Sequence, residues 1–202
     1  GNIYAAGYTD GTLPGQNSAG LRDAFVQKRA PGDGAVVWTR QLGSSADDVA
    51  RGVAVSASDE ILVTGAAGGA LGRSGTGGAF LGKWQADGTE LWVEQWGPGG
   101  TLPWAVQLNG AGDAYVAGAC FAEIDGAANA GSGDAFVSKW THSGSTRARA
   151  WSRQYGTAEN EFTYGLAVHS DGSVYVGGAT YGAFPGYSNR GETDLFVLRL
   201  VE

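Results

Sequence analysis

Residues able to do chemistry are few in this chain, and they are scattered. His142 and His169 are the only histidines and Cys120 the only cysteine. The histidines fall in different turns, and neither stands at the spacing from a nucleophile or a second ligand that a triad or a zinc site needs. A single thiol excludes an intrachain disulfide and any multi-cysteine metal site. No sequence neighbour of Cys120 would lower its pKa, so it reads as a small half-buried side chain.

The carboxylates are more regular. Asp47, Asp48, Glu159 and Glu161 lie in corresponding loops, and Pro98-Gly99-Gly100 carries no acid at the intervening place. That pattern points to solvation or turn capping, not to a paired acid and base. Asp23, Asp134 and Asp194 recur just before a strand, where a carboxylate accepts backbone N–H bonds and fixes a loop. A calcium loop would need further ligands at alternating positions, and these are missing.

Lys28, Lys83 and Lys139 occupy one recurring position, with Arg199 as the fourth member. Such recurrence predicts packing or an ion pair between repeat units. Ligand chemistry is best sought in two loops that mix aromatic and polar groups. One carries Tyr181, Phe184, Tyr187, Asn189 and Arg190, and the other Phe121, Glu123, Asp125 and Asn129. These residue types stack on and hydrogen-bond a sugar, or simply cover a sheet edge.

The elements that position these groups repeat four times. A hydrophobic strand ends at Gly7, Gly65, Gly118 and Gly178, and after a variable loop a second strand carries Phe25, Phe80, Phe136 and Phe196 in register. A turn leads to a third strand with Trp38, Trp92 and Trp151, and a fourth follows as Gly52-Val53-Ala54-Val55, Ala105-Val106-Gln107-Leu108 and Gly165-Leu166-Ala167-Val168. Four antiparallel strands in roughly 50 to 60 residues is the signature of a propeller blade. The recurring aromatics are then core residues buried between neighbouring units.

Composition agrees with that class. The chain has 202 residues, 43% hydrophobic, with 36 glycines and only 16% charged residues, which describes many short strands joined by tight turns. A net charge of −7 without a Lys/Arg cluster argues against nucleic acid and anionic lipid as partners. Apolar runs are too short to span a bilayer as a helix. With no methionine, Gly1 is not an initiator, so a mature product or a piece of a longer protein is expected.

The units resemble the bacterial β-propeller repeat family often called SBBP. The residues that carry the likeness are Gly165-Leu166-Ala167-Val168, Asp171-Gly172, Val174-Tyr175-Val176-Gly177-Gly178, Phe184-Pro185 and Asp194-Leu195-Phe196-Val197, with Leu13-Pro14 and Asp23-Ala24-Phe25-Val26 in the first unit. The second unit departs most, since Gly78 replaces the Asp and its turn lacks Asp-Gly. The resemblance implies a secreted or cell-surface bacterial protein, and it carries no catalytic residues onto these positions.

The expectation is therefore an all-β fold of four-stranded antiparallel β-propeller blades, about three and a half to four in this chain. The units run approximately 1–48, 49–101, 102–160 and 161–202 in a single repeat domain. With the Gly-Val-Ala-Val strand called A, the order is BCD, ABCD, ABCD, ABC, and the incomplete end blades predict a protein partner or self-assembly. Function reads as a non-catalytic extracellular scaffold or interaction module without a cofactor or metal, with a carbohydrate-binding propeller lectin as the alternative. A less favoured alternative is a quinone-dependent or hydrolytic propeller enzyme, suggested by Asp87-Gly88-Thr89-Glu90-Leu91-Trp92. The loops most variable between units, 10–22, 66–77, 120–133 and 181–193, are where recognition is expected.

Overall fold

The computed structural model describes residues 1–71 and 76–201; part of the second variable loop, residues 72–75, lies outside them. Fourteen strands form four antiparallel sheets, and the described residues contain no helix. The first sheet is β1 (Ile3–Thr9), β2 (Asp23–Arg29) and β3 (Val36–Leu42). The second is β4 (Asp48–Val55), β5 (Ile61–Ala67), β6 (Gly78–Trp84) and β7 (Glu90–Trp96). The third is β8 (Thr101–Leu108), β9 (Ala114–Cys120), β10 (Asp134–Ser143) and β11 (Thr146–Tyr155). The fourth is β12 (Glu161–Val168), β13 (Val174–Thr180) and β14 (Asp194–Leu200).

Each sheet is a meander in chain order, so the BCD, ABCD, ABCD, ABC reading matches the strands. His142, expected in a turn, lies in β10, because the β10–β11 hairpin runs on to Ser143 paired with Thr146. The chain divides into two compact units, Gly1–Gly99 with the first and second sheets and Gly100–Glu202 with the third and fourth.

Irregularities repeat as well as strands. Register shifts fall between Ala50 and Gly52, Pro103 and Ala105, and Thr163 and Gly165, so every A strand bulges at one place and gains local twist. Pro103 is tolerated there because β8 is an edge strand of its sheet and the bulge adjoins it, the two places where a strand accepts proline. The turn after each A strand needs a left-handed residue. Gly112 (φ 90) and Gly172 (φ 87) supply it, while Asp59 (φ 58) does so in the second sheet, Asp being among the few side chains that tolerate that region.

Strand pairing explains why glycine and phenylalanine recur together. Gly7, Gly65, Gly118 and Gly178 sit directly opposite Phe25, Phe80, Phe136 and Phe196. A Cβ at Gly65 or Gly178 would come within 2.8 or 3.0 Å of the facing ring, so the ring lies over bare backbone on the neighbouring strand. The same glycines admit the A strand, since Cβ atoms at Gly65, Gly118 and Gly178 would collide with the carbonyls of Val49, Leu102 and Phe162.

Within each unit one sheet's alanine and valine face packs on the next sheet's phenylalanine face. In the first unit Ala24 and Val26 join Ile61, Val63, Phe80 and Trp84. In the second, Tyr115, Ala135 and Val137 join Val174, Val176, Phe196 and Leu200. Alternation along each strand is what makes this possible, because residues two apart share a face.

Two outer positions break the rule. Phe25 is only half buried. On β14, Leu195 is 83% and Val197 66% exposed, where Ala24 and Val26 of β2 are fully buried. Phe80→Ala is expected to cost about 3 to 5 kcal/mol, whereas Leu195→Ala should change stability by no more than about 0.5 kcal/mol. Urea unfolding measures both, and a Leu195→Ala loss as large as that of Phe80→Ala would mean that this face of β14 is covered.

Candidate functional site

Three repeated polar devices hold the variable loops, and each can be followed from sheet to sheet. The first is the carboxylate that opens β2, β10 and β14. Asp23, Asp134 and Asp194 accept the N–H of the residue four before them, from Ala19 (2.9 Å), Ala130 (2.8 Å) and Arg190 (2.7 Å). The loop is thereby closed onto the start of the strand.

The second device is a glutamine. Gln41, Gln95 and Gln154 accept the N–H of Leu13, Leu71 and Ile124 at 2.9, 2.9 and 2.8 Å. Their Nε2 groups donate to the carbonyls of Gly11, Gly69 and Ala122 at 3.0, 2.9 and 3.0 Å. One amide thus satisfies a donor and an acceptor two residues apart, and Gln41 also donates to Asp23 at 2.7 Å. These glutamines come from β3, β7 and β11, the strand type absent from the fourth sheet.

The third device joins sheets inside a unit. The N–H of Asp48 donates to the Arg22 carbonyl (2.7 Å) and that of Glu161 to the Gly133 carbonyl (2.6 Å). Both acids are fully buried. Asp48 accepts from the Ser44 N–H and hydroxyl, and Glu161 from Thr157 in the same two ways and from Thr180. Asp47 and Glu159, their sequence neighbours, are not buried; Asp47 pairs with Arg22 at 2.9 Å.

Two buried acids therefore approach at each of these joints, Asp23 with Asp48 and Asp134 with Glu161. Burial pushes the Asp48 carboxyl above the usual carboxylate range, and the charge of Asp23 adds to the effect. Burial likewise raises Asp134, with Glu161 adding to it. The Oδ1 atoms of Asp23 and Asp134 are buried without a hydrogen-bond partner among the described residues. In the second sheet Gly78 stands at the place of Asp23 and Asp134, and in the third Thr101 stands at the place of Asp48 and Glu161.

The basic row finds its acids on the turn before the second strand of its own sheet. Lys83 meets Glu60 at 2.8 Å, Lys139 meets Asp113 at 3.5 Å, and Arg199 meets Asp171 at 3.8 Å and the Ser173 hydroxyl at 2.9 Å. Asp171, fixed chiefly by the Ser173 N–H and helped by His169, is held down to about 2. The first sheet lacks that turn, so Lys28 donates instead to the Ala86 carbonyl at 3.0 Å. In three of the four sheets the base also lies over the facing tyrosine, Lys28 on Tyr4, Lys139 on Tyr115 and Arg199 on Tyr175.

The tryptophans complete that stack. Trp38 lies 6.3 Å from Tyr4 and donates its ring N–H to Ala86, Trp151 lies 6.2 Å edge-on to Tyr115, and Trp92 is 1% exposed.

The two loops proposed for ligands differ in what they leave free. In the third sheet, Asp125 is bound to Arg149, Asn129 spans Cys120 and Gly131, and Phe121 packs on Phe162 at 6.0 Å; Glu123 is exposed. In the fourth, Phe184 meets Phe196 edge-on at 5.4 Å, Tyr181 meets Phe162 at 6.2 Å, and Asn189 spans Gly182 and Gly191. Tyr187 is 80% exposed. This loop lines a groove of about 540 Å³, through Phe184, Tyr187, Asn189 and Arg190, and the other wall is the consecutive run of Thr193 and the first five residues of β14.

Consecutive residues on one wall mean that the groove follows the strand's backbone edge. In the first three sheets that edge is taken by β3, β7 and β11. Cys120 is fully buried and shares a hydrogen bond with Thr101, and His169 sits on the turn beside Asp171. No cluster of three metal-ligating side chains exists among the described residues.

The glutamine clamp and the buried Asp48 and Glu161 were missed by sequence reasoning. The glutamine signal was present as the constant Trp-x-x-Gln spacing; the acids' burial had none, because a loop carboxylate and a strand-opening carboxylate look alike in sequence.

No family model and no curated protein matches the chain. Among solved structures it is similar to a crystal structure of a protein of unknown function from Bacteroides caccae, 12% identical, with a TM-score of 0.36, over 76% of this chain and 66% of that one.

The raised carboxyls set a pH dependence. Because Asp134 binds its proton more tightly in the folded than in the unfolded chain, its contribution is most favourable at low pH. It is lost as pH rises from about 4, the unfolded value, through the folded one. Asp134→Asn keeps an acceptor for Ala130 and removes the charge facing Glu161, so stability should fall less steeply as pH rises above about 4. Urea unfolding at stepped pH checks this, and an unchanged slope would refute it.

Proposed function

We propose that the chain is a β-propeller-type repeat module of the SBBP kind, extracellular or on a cell surface, that binds protein through the open side of its fourth sheet and does no catalysis. The observation that carries this reading is a contrast between equivalent positions. Leu195 and Val197 are exposed where Ala24 and Val26 are fully buried, and the loop glycine Gly191 faces open space where Gly20 and Gly131 lie against backbone of the following sheet.

An exposed apolar face is a common mark of an interaction site. Its neighbouring edge belongs to β14, whose outer backbone groups have no strand beside them in this sheet, and such an edge is a template for pairing. Polar groups at the joints are spent on holding loops in place, which suits a frame that presents a surface. The blades stack face to face in this reading, and assembly with a partner or a second copy closes the open side.

One observation favours a second reading. Tyr187 is 80% exposed at the mouth of the groove beside Asn189 and Arg190, an arrangement that would also suit stacking on a sugar ring. The test separates the two. With a photo-reactive phenylalanine derivative in place of Tyr187, irradiation in an extract of the native cells should give discrete protein adducts. Saturable binding on a glycan array, abolished by Tyr187→Ala, with no protein adduct, would overturn the protein-binding reading in favour of the lectin.

A further inference from the structure

We propose that the joint between the third and fourth sheets binds one divalent hard cation, of the calcium kind, bridged by the carboxylates of Asp134 and Glu161 beside Gly156. All of these groups lie inside the second compact unit, at the start of β10, at the start of β12 and in the link from β11 to β12.

Asp134 is 1% and Glu161 0% exposed, and one oxygen of each is turned to the same point. A Cβ on Gly156 would strike Asp134 Oδ1 and stand 2.9 Å from Glu161 Oε2. The bare α-carbon is what lets the two oxygens converge. Asp134 Oδ1 has no hydrogen-bond partner among the described residues. Two residues beyond Glu161, Thr163 is also fully buried, and its hydroxyl is unpartnered as well. Residues two apart on a strand share a face, so this third oxygen stands on the Glu161 side of β12.

No positive charge balances the two acids among the described residues. Asp134 accepts the Ala130 N–H, and Glu161 accepts from Thr157 and Thr180, all of them neutral donors. Two facing carboxylates buried in that way are costly, and burial with the neighbouring charge already makes Asp134 hold its proton more tightly. A divalent ion cancels both charges at once and gives the unused oxygen a partner. The donor type selects the ion. Cys120, directly across from Asp134, has its sulfur engaged by Thr101 and Ala122, so oxygens alone remain, and an all-oxygen set suits calcium over zinc or copper. Calcium also accepts an irregular shell completed by carbonyl oxygens or water, which magnesium resists.

The first unit has similar acids without the same convergence. Asp23 Oδ1 is unpartnered too, but the three atoms nearest to a Cβ on Gly43 all belong to Asp23, and Ala50 stands where the second unit has Thr163. The ion is therefore assigned to the second joint. Bound there, it ties the loop closed by Asp134 to the first residue of β12. Two carboxylates alone place the affinity among weak calcium sites, on the order of 0.1 to 1 mM.

Thermal unfolding of the full chain, stripped with EDTA and dialysed free of metal, tests the site against calcium chloride. The midpoint should rise saturably, by about 2 to 5 °C at roughly ten times the dissociation constant, and sodium chloride of equal ionic strength should not reproduce the rise. Asp134→Asn should abolish it, and Asp23→Asn should keep it. Terbium luminescence, excited through the aromatic residues, should report binding to the unaltered chain and be displaced by calcium, a readout that needs no variant to fold. The proposal is overturned by the absence of a calcium-dependent shift up to about 10 mM, by a rise that survives in Asp134→Asn, or by terbium emission that calcium does not displace.

Discussion

A four-stranded sheet has two apolar faces and two unpaired edges, and water tolerates neither. The answer inside each unit is to lay the alanine and valine face of one sheet on the phenylalanine face of the next, as Ala24 and Val26 lie against Phe80. Small residues on one side and rings on the other let two twisted sheets approach closely enough to exclude water. The glycine opposite each ring is part of the same fit, since Gly65 or Gly178 with a side chain would strike both the ring and the neighbouring carbonyl. The recurring aromatic and the recurring glycine are one structural unit.

Close stacking brings loop ends together, and there the polar chemistry is concentrated. Asp48 and Glu161 are buried because their N–H groups stitch one sheet to the preceding one, and burial of a charge is costly unless hydrogen bonds surround it. Ser44 and Thr157 provide those bonds. The facing Asp23 and Asp134 are needed to close their own loops, so burial, with the like charge beside it, raises the carboxyls of Asp48 and Asp134.

The strand order was legible in the sequence because each strand type carries its own mark, such as Phe196 in one, Trp151 in another and the Gly165 run in a third. The loop-fixing role of Asp23 and Asp134 was legible too, since a carboxylate four residues after a loop N–H has few other uses. Side-chain partners brought together by pairing within a sheet were not. Nothing in the spacing of Lys83 or Lys139 tells that Glu60 and Asp113 come from the same sheet's turn. Nor could a pattern reveal that Asn189 and Phe184, proposed as ligand contacts, are committed to Gly182, Gly191 and Phe196.

Where the repetition lapses is more informative than where it holds. An edge strand meant to stay in water is commonly blunted by lysine, proline or an inward charge, yet between Asp194 and Arg199 the strand β14 carries Leu195, Phe196, Val197 and Leu198. Its exposed positions are also no smaller than their buried counterparts, Leu195 standing where β2 and β10 have Ala24 and Ala135. A bare surface of this kind invites aggregation. The apolar side chains of β14 and its open edge both suit a surface that binds another molecule. The fourth sheet is therefore read as a binding element built on the same frame as the others.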